Sequence, residues 1–265
     1  MPLLRRRWRE IVLLTPALLG AIALAAHGPI PQDPRYDRFA DTRAILGIPN
    51  AADVLSNLAF LLAGGAGLIF LATDRSASGF RESGDRLPHF FFFAGVFLTA
   101  LGSAWYHLAP DHDRLVWDRL PMTVAFLSLF AAVLGERMRP DLARRLLAPL
   151  LAAGIASVFY WHVTEQAGRG DLRPYALVQY YPVVALGLLL LLYPARFTHA
   201  RVIWGVGVLY LLAKAFELAD EPILRATGFV SGHTLKHLAA GGAAALVLFM
   251  LARRTPIEEN SFEEV

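Results

Sequence analysis

Two polar pairs, each spaced by four residues, carry the chemistry of this sequence. Ser103 and His107 close one apolar stretch, and His233 and His237 open another. A spacing of four puts both members of a pair on one helix face. Ionisable groups at membrane depth are costly, so three histidines at matching ends of apolar helices need a reason. A zinc ion held by three imidazoles, with a fourth position open to water, supplies one. The chemistry on offer is hydrolysis. Zinc lowers the pKa of its water to about 7 and polarises a carbonyl. A carboxylate within reach can take the water's proton and pass it to a leaving amine. Asp118 is the candidate, because it stands where the chain returns beside His107. Ser103, one turn before a ligand, is placed to hydrogen-bond the water or to stabilise an oxyanion. The imidazoles also need partners that fix their tautomers. Ser56 and Asn57, after the first long loop, are the candidates.

Each residue has a plainer reading. A lone intramembrane histidine is usually packed and hydrogen-bonded. Ser103 suits helix packing, and Asp118 suits a cap on a helix that begins near Leu120. Lys214 and Glu217 read as an internal ion pair or as lining of the site. His27, His89, His112, His162 and His199 fall at ends or in loops and read as interface residues. Gly64, Gly65 and Gly67 read as a close helix contact.

The elements that must position these residues are helices in lipid. The chain has 265 residues, 56% of them hydrophobic, and a mean hydropathy of +0.46. About 20 apolar residues span a bilayer, and apolar stretches recur at roughly residues 11–26, 53–72, 89–108, 120–134, 146–163, 176–193, 202–218 and 233–251. With 0 cysteines there is no disulfide framework and no thiolate metal site. The net charge of +3 does not point to nucleic acid, since no basic stripe is interleaved with aromatics. No protein partner is evident either. With the N-terminus inside, 15 arginines fall in inner segments and 8 in outer ones. That bias places both termini in the cytoplasm and the candidate site in the outer half. The run Arg5-Arg6-Arg7 before the first stretch also resembles a signal peptide. The residues after Arg254 form an acidic tail expected to be disordered.

At these residues the chain resembles the alkaline ceramidases. The resemblance is carried by Ser103-x-x-x-His107, by Trp117-Asp118-Arg119-Leu120-Pro121-Met122, by His233-x-x-x-His237 and by Ser56-Asn57. It extends over roughly residues 36–251. That family belongs to a superfamily of seven-helix membrane hydrolases that includes the progestin and adiponectin receptors. The resemblance implies an all-α seven-helix transmembrane bundle over 31–252, with residues 1–30 as an additional hydrophobic helix and 253–265 as the tail. It implies a zinc-dependent amidase that cleaves ceramide-like lipids to a long-chain base and a fatty acid. Zinc would sit on His107, His233 and His237, with Ser103 and Asp118 attending its water. The expected location is a bacterial inner membrane, with the site toward the periplasm.

The loop from Pro31 to Asn50 carries Asp37, Asp41 and Asn50. Crowded oxygen ligands suit calcium, and the family has an acidic calcium site in this segment. The present chain lacks the family's Trp and Glu there, and Arg35, Arg38 and Arg43 make local salt bridges an equal reading. Two other functions stay open: a receptor-like member of the superfamily, and a proton-coupled transporter that uses the histidines as relays.

Overall fold

Every apolar stretch folds as a helix. The computed structural model describes residues 2–73, 76 and 79–258, with backbone only for residues 2–6 and 83. Residues 74, 75, 77 and 78 of one connection and 259–265 of the acidic tail lie outside the described residues. Helix makes up 76% of the structure, and no strand occurs among the described residues. The helices are α1 (Pro2–His27), α2 (Ala51–Ser56), α3 (Leu58–Leu71), α4 (Arg86–Leu108), α5 (His112–Arg137), α6 (Pro140–Gln166), α7 (Arg173–Leu192), α8 (Val202–Leu218), α9 (Asp220–Thr227) and α10 (Gly232–Arg253).

Seven spans are long and apolar enough to cross a membrane, with α2 and α3 together forming one of them. An eighth is formed if α8 and α9 count together, although they bend by 78° at Ala219. The chain is thus an all-α membrane bundle. α5 is its centre: 78% of its most apolar window is buried, against 6% for α1. α5 packs on α4, α6 and α7, α10 packs on α3 and α8, and α1 leans mainly on α7.

Local chemistry sets the ends that matter for function. α5 begins at His112, not near Leu120, because the Asp111 side chain accepts the Arg114 N–H at 2.7 Å and caps the helix there. Asp118 therefore lies two turns inside α5 and is not a cap. α10 begins at Gly232 because Ser231 accepts the Thr234 N–H at 3.1 Å. The short α9, which the hydropathy pattern does not announce, ends at Gly228 in the left-handed region, at φ 76°.

α4 and α5 approach through backbone. Pro121 has no N–H, so the Trp117 carbonyl loses its usual partner four residues on. Gly102 of α4 sits against that carbonyl, where a Cβ would overlap it. Gly95, seven residues earlier and on the same face, lies against the Pro121 carbonyl and the Ala125 N–H. Gly64 and Gly67 of α3 do make close contacts, with the Phe97 backbone and the Phe93 ring of α4.

At the end of the bundle away from Ser103, a buried ion network clasps the chain after α10. Arg254 pairs with Glu136 and donates to the Gly79 carbonyl at 2.9 Å. His89 lies 3.4 Å from Glu136. His89 is thus fully buried in a polar network and is not an interface residue.

Candidate metal centre

The three histidines arrive from two helices. α4 brings His107 at its last turn, and α10 brings His233 and His237 at its first two. All three are buried, and their ligand nitrogens lie within 4.8 Å of one another. Among the described residues this is the one group of three or more such side chains gathered tightly enough to hold a metal ion. Nε2 of His107 and Nε2 of His233 are 3.2 Å apart. Two nitrogens that share a tetrahedral zinc at 2.0–2.1 Å would stand about 3.3 Å apart. The spacing fits a metal.

The tautomer of His237 follows from its neighbours. Ser56 Oγ donates to the Asp53 carbonyl at 2.9 Å, so it can only accept from His237 Nδ1, which is 2.7 Å away. A proton on Nδ1 leaves the Nε2 lone pair free for a metal. Ser56 is thus the imidazole partner that the sequence pointed to. Asn57 is not: its amide donates to the Asp53 carbonyl at 2.8 Å and holds the turn between α2 and α3.

Ser103 and Asp118 are also brought together. Both are buried, and the close backbone approach of α4 and α5 brings the Ser103 hydroxyl near the Asp118 carboxylate. At that approach Gly102 meets the backbone of Trp117 and Asp118. Ser103 stands one turn before His107, so the carboxylate sits beside the imidazoles and not out at the membrane surface.

Three further residues build the site and are not evident from the sequence. Asp53 is fully buried and accepts from Thr234 at 2.8 Å and Ser231 at 3.4 Å, which ties α2 to the start of α10. Asp220, at the bend between α8 and α9, accepts the His233 N–H at 2.7 Å and the Ala40 N–H at 2.9 Å. Lys236 lies between the two α10 histidines, 2.8 Å from Glu217 and 3.5 Å from His233 Nε2. The only sequence signal for Lys236 was its place inside His-x-x-x-His. Lys214 does pair with Glu217, as one of its two readings had it.

The loop before α2 covers the centre. Phe39 packs edge-on against His107 and His233, at 4.5 and 4.6 Å between ring centroids. The loop's candidate calcium ligands each have a protein partner. Asp37 accepts from Tyr106 at 2.6 Å and faces His112 at 3.3 Å. Asp41 is held bidentately by Arg43, which pushes its carboxyl below the usual range. The Asn50 amide donates to the His107 carbonyl at 2.8 Å. Arg119 donates to Gln32 at 2.7 Å and stacks on Trp161, which pins the start of the same loop.

No family model matches the chain. No curated protein matches it in sequence. The centre is a buried cluster of three imidazoles, and such a cluster can hold a metal ion.

Proposed function

We propose that the protein is a zinc-dependent intramembrane amidase acting on lipid amides of the ceramide type. One observation carries the reading: three buried imidazoles converge at one end of the bundle, where the α4–α5 contact also brings in the buried Ser103 and Asp118. A carboxylate in that place has a use in hydrolysis. His107, His233 and His237 would hold the ion. When bound, zinc supplies a water acidic enough to attack at neutral pH and an electrophile for the carbonyl.

The chain's own residues do the rest. Asp118 takes the proton of the attacking water and delivers it to the amide nitrogen as the C–N bond breaks. Ser103 stands near the Asp118 carboxylate. Ser56 keeps His237 in the tautomer with a free Nε2. Phe39 excludes bulk water, which strengthens each of these interactions. The products are a fatty carboxylate and an amine. The excess of arginines in the inner segments supports a site in the outer half of the membrane, toward the periplasm of a bacterial inner membrane.

The experiment is incubation of the purified protein with a panel of lipid amides, with and without a chelator. Release of a long-chain base that stops on chelation and returns with zinc is the expected result. A fully zinc-loaded protein that cleaves none of the panel would refute the reading.

A further inference from the structure

The chain has 25 basic residues, of which only two, Lys214 and Lys236, are lysines. Both converge on Glu217, Lys236 at 2.8 Å on one oxygen and Lys214 on the other. Arginine serves every other basic position, including the buried Arg119 and Arg254. A lysine is not an arginine with one nitrogen. Its ammonium is a compact point charge that fits where a planar fork does not.

Lys236 is three residues after His233, on the same helix face. Its Nζ lies 3.5 Å from His233 Nε2, the nitrogen that faces His107. Its charge acts on Asp118 as well. The ammonium therefore faces the space shared by the imidazole nitrogens and the carboxylate. Glu217 takes one of its three N–H donors. Within this half-buried trio two cations share one carboxylate, so positive charge is left over.

We propose that Lys236 is a catalytic residue whose ammonium binds the oxyanion that forms on the amide carbonyl. The proposal rests on the amidase reading. A water oxygen bonds to the carbonyl carbon, the C=O π pair moves onto the carbonyl oxygen, and the water's proton goes to Asp118. Lys236 donates a hydrogen bond to that oxygen and keeps its proton throughout. When the C=O re-forms, the C–N pair leaves with the nitrogen, which takes the proton from Asp118. Glu217, itself paired with Lys214, is a positioning residue that holds the Lys236 ammonium.

The test compares wild type with Lys236→Met and Lys236→Arg in three measurements: zinc content, turnover of a lipid amide, and affinity for a lipid phosphinate, whose tetrahedral oxyanion imitates the reacting centre. The expected result for Lys236→Met is full zinc and a KM close to wild type. Turnover and phosphinate affinity should both fall by about 10² to 10³, the cost typical of one oxyanion donor. Lys236→Arg keeps the charge and should recover part of the affinity. Unchanged phosphinate affinity in a zinc-loaded Lys236→Met protein would overturn the assignment, and so would loss of zinc from that variant, which would make Lys236 a builder of the metal centre. A wild-type protein that neither cleaves lipid amides nor binds the phosphinate fails the amidase reading itself. Normal cleavage with an unimpaired Lys236→Met fails only the lysine.

Discussion

Asp118 and His233 answer different questions when replaced. Asp118→Asn keeps the size of the side chain but cannot accept a proton. Zinc content should hold while turnover per zinc drops by about 10² to 10⁴. The helix-capping explanation does not apply, because Asp111 caps α5. His233→Ala should instead lose the metal, since two imidazoles rarely hold zinc tightly. Metal analysis beside turnover separates the two, and full zinc in His233→Ala would remove it from the ligand set. The triad was legible in the sequence because its members share one chemistry and a helical spacing. Ser56 was legible by position. Asp53 and Asp220 were not, because their partners are far off in sequence: Asp53 meets Thr234 across 181 residues and Asp220 meets Ala40 across 180. Polar residues of common type give no local hint of such pairings.

At the scale of elements, the α4–α5 contact and the covering loop are the parts that position the chemistry. Gly102→Ala would push a methyl into the Trp117 carbonyl. The expected cost is about 1–3 kcal/mol, typical of overpacking, together with reduced turnover as Ser103 and Asp118 separate. A thermal midpoint in detergent equal to wild type would show that the helices do not pack this closely. The loop is held differently. Arg43 binds Asp41 and also donates to the Phe229 carbonyl at 2.7 Å, which ties the loop to the end of α9. The folded Asp41 carboxyl is held below the usual range by Arg43. Its contribution is therefore present above the ordinary carboxylate pKa and is lost as pH falls through the lowered one. Hydrogen exchange of residues 38–43 should stay slow at neutral pH and quicken only below the ordinary carboxylate range. Quickening near pH 6 would contradict the pair. Helix existence was readable from hydropathy, but the early start of α5 and the bend at Ala219 depend on a cap and a loop contact that hydropathy does not register.

At the scale of the whole molecule, the two ends are built unlike each other. One carries the imidazole cluster under its loop, and the other carries the Arg254–Glu136–His89 clasp. The arginine distribution predicts that the clasp end faces the cytoplasm. A reporter fused after Val265 should be accessible only from that side. Accessibility from the periplasm alone would invert the assignment and move the site inward. The all-helical bundle followed from apolar run length alone, because lipid leaves the backbone no alternative to helices, although the stretch over 202–218 makes a span only if the bent α8 and α9 count together. Which helices touch did not follow, since almost every one of them is apolar on all sides.

The split of the ligand set between α4 and α10 has a consequence for biosynthesis. His107 and His233 are 126 residues apart, so the ribosome delivers one ligand long before the other two. A nascent chain inserted as far as α8 has His107, Ser103 and Asp118 but neither partner histidine nor Lys236. On the amidase reading, it can neither complete the metal centre nor cleave an amide in the membrane that receives it. The three-imidazole cluster is then completed by the final helix in a single step, and the amidase reading makes a chain whose α10 fails to insert inert and not partly active.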